Sequence, residues 1–445
     1  MPQPVVRTTA GAVAGTAAGP AVVFRGVPYA AGPVGAERFA APLPPPHWDG
    51  VRDASEPSPT APAPERGRFG ALDLSPVIGP GWRPGRDYLT ATVWTPDPGT
   101  GGLPVLVFVH GGGFLAGSAG APVHDGSAFA RDGVVQVALN YRLGVPGWLH
   151  LPGAPANRGL LDVLAGLAWV RENIAAFGGD PDNVTVAGQS AGAIITGAVL
   201  ATAPRGLVRR VVSQSGSGLA GFSIEQASAT TAALAAELGV PPTVAGFADV
   251  SDERLIAALP AVMGTTGNTH PLAAITPFSL VSGTESLPGQ PSELVAAGAG
   301  EDVTLLIGTN RDEANLYLVP TGLPTTDGAA MTARIFGTGT AALADAHASA
   351  TYRYEFAWRS PAFGGQLGSA HCMELPFVFD RTGLPALRGP EALLGLGAAE
   401  PPAALAERMH RAWVRFAASG DPGWPPYGPD RHIEVLRSSE RAHTH

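Results

Sequence analysis

The chain has 445 residues, of which 45% are hydrophobic and only 15% charged, with 59 glycines and 44 prolines spread along it. This length allows one large α/β domain or two modules, and the composition predicts a globular protein with many turns. The formal net charge is −9, and no run of five or six Lys or Arg residues occurs that could neutralise a phosphate backbone. Nucleic acid is therefore not expected as a partner.

The single cysteine, Cys372, makes an intrachain disulfide impossible, so the pattern typical of proteins from oxidising compartments is absent. The segment Met1–Pro20 contains Arg7 as its basic residue and no sustained apolar stretch, and it does not resemble a secretory signal. The sequence contains no run of 18 apolar residues, so a membrane span is not predicted. These features predict a cytoplasmic protein without a membrane partner.

The early part of the chain is rich in proline between residues 41 and 64. By composition alone this stretch is typical of a linker. The segment Phe24–Phe39 before it and the predicted strand Ala91–Trp94 after it are too short to form separate domains. We therefore expect the proline-rich stretch to wrap one surface of a single domain spanning residues 1–445.

In the rest of the chain, short β-branched runs alternate with helical patterns, which favours an α/β fold with a mostly parallel central sheet flanked by helices. The predicted strands are Val105–Val109, Val134–Leu139, Val184–Ala187, Val303–Ile307 and Tyr352–Trp358. Leucines at helical spacing in Leu160–Ile174 predict a helix that connects the second strand to the third. The alanine-rich region at about 220–300 contains two further helical patterns, Ala227–Leu238 and Glu253–Leu259, and predicts a helical insertion over the sheet.

A serine lies between two glycines where a predicted strand meets a predicted helix. The strand Val184–Ala187 runs into the pentapeptide GQSAG at 188–192, and the helix-compatible segment Ala193–Leu200 follows. This context is typical of a nucleophile elbow, whose turn is too tight for side chains beside a strained serine. The pentapeptide alone would also fit a glycine-rich turn, so its position between strand and helix is what predicts Ser190 as a nucleophile.

A second glycine-rich motif, HGGGF at His110–Phe114, ends another predicted strand 80 residues before Ser190. Acyl transfer builds negative charge on the carbonyl oxygen, and glycine N–H groups can approach that oxygen closely. We predict an oxyanion hole formed by the backbone N–H groups of Gly112, Gly113 and Ala191. The alternative is a flexible glycine turn at the end of a strand.

Chain order restricts the choice of the base, because a nucleophile elbow is followed by the acid and then by the histidine of the triad. The histidines beyond residue 340 are His347, His371, His410, His432, His443 and His445. His371 stands apart because it follows the predicted strand Tyr352–Trp358 and a loop with three glycines, from which a side chain can reach across the end of the sheet. The others fall in predicted helices, after a turn or in the terminal tail. His371 is therefore the predicted base, and the alternative is a structural histidine.

Two adjacent carboxylates, Asp312 and Glu313, follow the predicted strand Val303–Ile307, at the position where α/β sheets place ligand groups. Either could orient the imidazole of His371 as the acid of a triad. Physical reasoning does not choose between these neighbours, and both would also fit solvated loop charges.

With these residues assembled, the sequence resembles the type-B carboxylesterases, an α/β-hydrolase family that also contains the cholinesterases and bacterial para-nitrobenzyl esterases. The similar blocks are Phe24–Ala30, Arg38–Phe39, Trp48–Gly50, Asn140–Gly144, Asn157–Asp162, Trp169–Gly192, Gly308–Glu313, Ala370–Phe379, Trp413–Phe416 and Gly420–Pro422. The resemblance implies the α/β-hydrolase fold with a helical insertion over the active site. In the family's acid block the second carboxylate is the triad member, which selects Glu313, and the histidine block supports His371.

Two further positions are expected to contact the triad. Gln189 stands where this family often has a glutamate that helps bind cationic substrates in the cholinesterases, so a choline ester is not the expected substrate. Ser215 falls in a block similar to the family's and is expected either to contact the acid or to form a structural turn.

These features together predict a serine carboxylesterase that forms an acyl-enzyme through Ser190, Glu313 and His371. No metal or organic cofactor is expected, since the sequence has no His-Glu-x-x-His motif and no paired cysteines. The resemblance and the short loops at 59–85 and 220–300 favour small to medium acyl or aryl esters as substrates. The alternatives are an amidase, a carbamate hydrolase or an acyltransferase with the same triad and, from another class, a non-catalytic binding protein.

Overall fold

The computed structural model describes residues 3–65, 67–79, 81–264, 268–396 and 400–438. The tail histidines His443 and His445 therefore lie outside the described residues. The strands are, in chain order, β1 Val5–Arg7, β2 Ala12–Ala14, β3 Thr16–Ala18, β4 Ala21–Pro28, β5 Val51–Asp53, β6 Arg68–Phe69, β7 Leu72–Asp73, β8 Thr90–Thr95, β9 Leu103–Val109, β10 Val135–Leu139, β11 Gly179–Gln189, β12 Arg210–Gln214, β13 Thr304–Asn310, β14 Thr351–Phe356 and β15 Glu434–Leu436.

A ten-stranded sheet forms the centre of the fold, in the order β15-β14-β13-β12-β11-β9-β10-β8-β4-β3. From β15 to β10 in this order, each strand is parallel to its neighbour. Strands β8, β4 and β3 complete the sheet with antiparallel pairings. The predicted mostly parallel sheet is therefore confirmed, and the predicted strands fall within or next to the observed ones.

The central strands are apolar along their whole length because both faces of the sheet are buried. In β9, Val105, Val107 and Val109 belong to one hydrophobic cluster, whereas Leu106 and Phe108 belong to the other. Successive side chains of a strand point to opposite faces, so the two clusters lie on the two sides of the sheet and helices cover both.

Helices connect the strands across these two faces. The crossover helix predicted over Leu160–Ile174 is observed at Arg158–Asn173, and Gly178, with φ of 88°, ends the short 3₁₀ extension that follows it. A π-helical turn, Ala333–Gly337, joins two of the helices. The α-helices are, in chain order, α1 Ser75–Ile78, α2 Ser127–Arg131, α3 Gly144–Trp148, α4 Arg158–Asn173, α5 Ala191–Thr202, α6 Ile224–Leu238, α7 Val244–Ala248, α8 Asp252–Ala258, α9 Pro291–Ala296, α10 Asn315–Leu318, α11 Gly328–Thr332, α12 Thr338–Ala346, α13 Leu375–Val378 and α14 Ala403–Ser419.

The chain between β12 and β13 is the predicted insertion, and its described residues contain α6 to α9 with two 3₁₀ helices. Helix α6 begins with a capping box, in which the side chains of Ser223 and Gln226 each accept a hydrogen bond from the other's backbone N–H. Near the cavity described below, the insertion contributes the 3₁₀ helix Pro271–Ala274 and the two residues after it, rather than the longer helices that the alanine-rich pattern predicted.

The parallel strands in the middle of the sheet end close to one another. Val109 of β9 is in register with Gly188 of β11, and Gln214 of β12 pairs with Gln189 on one side and Gly308 on the other. Residues that directly follow these strands are therefore brought together at the carboxyl edge, where open α/β sheets place ligand groups.

A buried ion pair fixes the turn after β10 to helix α4. The side chains of Arg142 and Asp162 are fully buried, with Nη2 2.7 Å from Oδ1 and Nε 2.9 Å from Oδ2. Arg142 Nη1 also donates to the carbonyl of Ala40 at 2.6 Å. The charges of this pair compensate each other only while both partners are present.

We expect Asp162→Asn to lower the free energy of unfolding by about 3–5 kcal/mol, because Arg142 would remain buried without its counter-charge. Denaturant unfolding followed by tryptophan fluorescence measures the change. The matched control is Glu407→Gln, which breaks an exposed pair with Arg411 on α14 and should leave the unfolding midpoint nearly unchanged. Equal shifts in the two variants would contradict the structural role of the buried pair.

Candidate active site

Ser190 lies at the sharp turn between β11 and α5. Its backbone has φ of 56° and ψ of −122°, a conformation that non-glycine residues adopt only when the surroundings hold it, and its N–H donates to the Gln214 carbonyl at 2.9 Å. A Cβ on Gly188 would lie 2.3 Å from the Gly192 carbonyl oxygen, and one on Gly192 would lie 2.0 Å from the Val109 carbonyl oxygen. Neither flanking position therefore has room for a side chain, and both must be glycine, as the motif predicts.

His371 and Glu313 form a buried hydrogen-bonded pair beside this turn. Glu313 follows β13 and His371 precedes α13, and the distance between His371 Nδ1 and Glu313 Oε2 is 2.6 Å. Their backbones also meet, since the His371 N–H donates to the Glu313 carbonyl at 3.3 Å. An ionised carboxylate can only accept, so Nδ1 is the donor, and in the neutral imidazole Nε2 carries the lone pair.

The pKa of His371 is the result of opposing effects. Burial lowers it, but the neighbouring Tyr317, Cys372 and Glu313 groups raise it, and the net pKa lies well above its ordinary value. A raised pKa means that the neutral imidazole, the form able to accept a proton, is reached at higher pH.

Asp312, the other candidate acid, is bound elsewhere. Its carboxylate accepts from the backbone N–H of Ser369 at 3.0 Å and from Arg359 Nη1 at 2.8 Å. Among the described residues it makes no hydrogen bond to a histidine. The choice that the strand pattern left open therefore has a geometric answer, with Glu313 against the imidazole and Asp312 in an ion pair near the surface.

Three predicted oxyanion-hole residues line the same cavity as Ser190 and His371. Gly112 and Gly113 have φ of 118° and 64°, and Ala191 begins α5. A Cβ on Gly112 would lie 2.1 Å from the Ala116 carbonyl oxygen. In the described part of the chain, the backbone N–H groups of Gly112, Gly113 and Ala191 have no hydrogen-bond acceptor, so all three are available to a ligand oxygen.

The two residues expected to contact the triad behave differently. Gln189 Nε2 lies 3.4 Å from His371 Nε2, at the upper limit of a hydrogen bond. Ser215 is fully buried with φ of 56°, but its hydroxyl has no hydrogen-bond partner among the described residues. Its backbone N–H donates to the Gly308 carbonyl at 2.8 Å, so its place in the structure fits the alternative of a turn between strands.

The other described histidines beyond residue 340 make structural hydrogen bonds away from the cavity. His347, predicted inside a helix, follows the last residue of α12 in extended conformation, and its Nδ1 lies 2.7 Å from Thr351 Oγ1. His410 of α14 donates from Nδ1 to the Val378 carbonyl at 2.7 Å. His432 Nε2 lies 3.3 Å from Glu434 Oε2.

The cavity encloses about 980 Å³, including its open mouth. Its wall is mainly apolar, and the described residues that line it include no Asp or Glu. Burial lowers the pKa of His110, next to the glycine loop, to about 4 and that of His124, on the wall, to about 3, so both are neutral at physiological pH. Lining side chains from separate parts of the chain are Phe69, Leu74, Ile194, Leu272, Ile275, Tyr317 and Phe336.

Several residues at the site were not singled out by the motifs. Tyr317 and Phe336 have ring centroids 5.9 and 4.7 Å from that of His371. Asn310 and Glu374 form hydrogen bonds behind Glu313. These last two belong to the blocks around Glu313 and His371, so their positions were visible in the sequence although their contacts were not.

Two further features are absent from the described residues. No group of three His, Cys, Asp or Glu side chains is arranged to hold a metal ion. None of the helices in that part of the chain combines the length and the apolar character needed to cross a membrane.

Comparison with known proteins identifies relatives over nearly the whole chain. A family model described as the carboxylesterase family matches residues 2–328, which include Ser190 and Glu313. The para-nitrobenzyl esterase of Bacillus subtilis is 34% identical, with 99% of this chain and 96% of the relative covered. The phenmedipham hydrolase of Pseudarthrobacter oxydans is 35% identical with the same coverage.

Solved structures give the same result. A para-nitrobenzyl esterase structure superimposes with a TM-score of 0.85 at 31% identity over 98% of this chain and 96% of that one. A carboxylesterase of Geobacillus stearothermophilus has a TM-score of 0.82 at 32% identity, covering 97% and 96% of the two chains. The chain belongs to the carboxylesterase family and is a carboxylic ester hydrolase with the α/β-hydrolase fold.

Proposed function

We propose that this esterase uses Ser190 as the nucleophile, His371 as the general base and Glu313 as the acid that orients the imidazole. The observation that carries the proposal is the 2.6 Å hydrogen bond from His371 Nδ1 to Glu313 at a cavity that Ser190 also lines. With its proton on Nδ1, the neutral imidazole can accept the serine proton at Nε2. The long contact of Gln189 with this nitrogen is weak enough to be displaced by the hydroxyl.

The reaction follows from these positions. Ser190 Oγ attacks the ester carbonyl carbon while its proton passes to His371 Nε2, and the N–H groups of Gly112, Gly113 and Ala191 donate to the oxygen that becomes negative. On collapse the bond to the alcohol oxygen breaks, and the imidazolium gives its proton to that oxygen. A water activated by the same imidazole then releases the acid and restores the serine hydroxyl.

The cavity favours uncharged esters with apolar substituents. Among the described residues, the lining has no carboxylate that could pair with a cation, and Gln189 beside the serine is neutral. Its cationic residue, Arg68, is paired with Glu391 at 3.2 Å, and apolar side chains make up most of the wall. Burying a cation in such a site without a counter-charge is costly. The names of the two relatives, a para-nitrobenzyl esterase and a phenmedipham hydrolase, agree with an uncharged small-molecule substrate.

The experiment that tests this function is hydrolysis of para-nitrophenyl esters from acetate to dodecanoate, together with mass-spectrometric mapping of the residue labelled by an organophosphate. We expect turnover of the short and medium esters and labelling of Ser190 alone. A neutral 3,3-dimethylbutyl ester should be preferred over the isosteric choline ester. Labelling of another residue, or preference for the cation, would contradict the proposal.

The side of the cavity next to His371 should receive the alcohol part of the ester, because the imidazole delivers a proton to the alcohol oxygen. This side has an aromatic wall. Tyr317 and Phe336 are stacked with ring centroids 6.5 Å apart, and Phe69 packs edge-on against Tyr317 at 5.7 Å. Aromatic pairs of this kind add attraction beyond the apolar area that they bury.

We therefore expect Phe336→Leu to lower kcat/KM for benzyl acetate roughly 3- to 10-fold more than it lowers kcat/KM for cyclohexylmethyl acetate. The two substrates are matched in size and differ in the aromatic ring, so the ratio of their kcat/KM values measures the aromatic contact. An unchanged ratio would show that the alcohol part does not contact this wall.

A further inference from the structure

A second carboxyl group, Glu374, is buried behind the triad acid and takes no part in the mechanism above. It follows His371 by three residues, and its side chain is fully buried. Among the described residues it has no Lys or Arg partner. A buried carboxyl group without a cation is costly unless hydrogen bonds satisfy it.

Both carboxyl oxygens of Glu374 accept from amide groups whose orientation is fixed. Oε1 accepts from Gln214 Nε2 at 3.2 Å, and Oε2 accepts from Asn310 Nδ2 at 2.6 Å. The indole of Trp413 can only donate, and it lies 3.0 Å from Gln214 Oε1, so the amide nitrogen of Gln214 must face Glu374. Asn310 Nδ2 also donates to the Ala370 carbonyl at 2.8 Å, which fixes that amide. The two donors suit an ionised Glu374.

Asn310 connects Glu374 to the triad acid. Its backbone N–H donates to Glu313 Oε1 at 2.7 Å, and the other oxygen of Glu313 holds His371. Its side chain ties together Glu374 and Ala370, the residue before His371. A displacement of Glu374 would therefore be transmitted through Asn310 to both members of the His–Glu pair.

The charges around Glu374 also point to His371. Burial and the negative charge of Glu313 raise the pKa of Glu374 to about 7, while the hydrogen bond from Asn310 and the charge of His371 lower it. The other titratable groups that face it are Tyr354 of β14 and Cys372. His371, when protonated, is the one cation among these neighbours in the described chain, so an imidazolium and an ionised Glu374 stabilise each other.

We propose that Glu374 is a positioning residue of the reaction, which holds Glu313 against His371 through Asn310 and adds negative charge that stabilises the imidazolium formed when Ser190 loses its proton. The inference rests on the triad proposed above. It assigns a role to a residue that touches neither substrate nor nucleophile.

The test is the pH profile of wild type and Glu374→Gln with a para-nitrophenyl ester. Loss of the charge lowers the pKa of His371, so the acid limb of kcat/KM should move to lower pH by about one unit. We expect kcat to fall roughly tenfold with KM little changed, by analogy with the residues that orient metal ligands, whose loss costs about 10- to 100-fold. The matched control is Glu355→Gln at the end of β14, where a partly exposed carboxylate pairs with Arg311, and both quantities should stay within about twofold.

A second variant, Asn310→Ser, removes the amide link but keeps the backbone N–H that binds Glu313. Like Glu374→Gln, it should lower kcat and move the acid limb to lower pH. Combining the two variants should add little, because both residues act in one chain of contacts. An unchanged kcat and acid limb in either folded variant would overturn the proposal. So would a lower kcat without a shift of the limb, since a packing defect explains that result. Activity that is lost in Ser190→Ala but untouched in Glu374→Gln would refute this inference and leave the triad intact.

Discussion

Replacement of Ser190 by alanine is expected to lower kcat for ester hydrolysis by a factor on the order of 10⁶, if the triad acts as a unit as it does in serine proteases. The Oγ atom forms the covalent bond to the acyl group, whereas the nearby hydroxyl of Thr276, which also lines the cavity, is donated to the Gly113 carbonyl at 2.6 Å. His371→Ala should cost a similar factor, and the double variant should be no worse than either single one. Steady-state hydrolysis of a para-nitrophenyl ester measures all three.

The matched control is Ser213→Ala. Ser213 lies on the adjacent strand β12, is fully buried and donates its hydroxyl to the Ala193 carbonyl at 3.3 Å. Its loss should reduce stability slightly and leave kcat within a few fold. Substantial activity in Ser190→Ala, measured on protein free of wild-type enzyme, would transfer the nucleophile's role to another residue.

The sharp turn that carries Ser190 was predictable because its signal is short-range. A strand, a tight turn and a helix follow one another within a few residues, and the two glycines of the turn are demanded by backbone contacts at 2.3 and 2.0 Å. The same holds for the glycine loop, where Gly112 has no room for a side chain. The family resemblance extended this local prediction to the fold, which the comparisons confirm.

The parts that sequence did not predict depend on contacts between distant segments. The order of the strands places β9 between β10 and β11, although β10 and β11 are joined by the crossover helix α4. The cavity wall brings together Phe69, Leu272 and Phe336 from three separate parts of the chain, and the periodicity of the sequence does not predict such contacts. The hydrogen bonds of Glu374 likewise join strand ends about 60 to 160 residues away.

The choice between Asp312 and Glu313 is intermediate between a short-range signal and a contact between distant segments. Both are carboxylates after the same strand, and a turn of one residue decides which of them faces the imidazole. In this structure the Asn310 N–H and the His371 ring bind the two oxygens of Glu313, while Arg359 binds Asp312. A pattern of residue types contains no information on that rotation, whereas the family block does.

We expect Glu313→Gln to lower kcat by a factor on the order of 10⁴, by analogy with the amide variant of a Ser-His-Asp protease. The Asn310 N–H requires an oxygen at the position of Oε1, so the new amide would turn its NH₂ group toward His371 Nδ1. Nδ1 must then accept, which forces the imidazole proton onto Nε2 and leaves that nitrogen unable to take the proton of Ser190. The acid limb of kcat/KM should also move to lower pH, because the carboxylate that raises the pKa of His371 is gone.

Asp312→Asn is the neighbouring comparison for this experiment. An asparagine can still accept from the Ser369 N–H, and it loses only a charge pair with Arg359 that is open to solvent, so kcat should change by less than about threefold. Similar thermal unfolding midpoints in the two variants would show that both retain the fold. If Asp312→Asn were the more damaging change, the acid of the triad would be Asp312, and the 2.6 Å contact of Glu313 with the imidazole would have to be structural. The kcat values of the two variants are expected to differ by more than about 10³-fold, so these outcomes are readily distinguished.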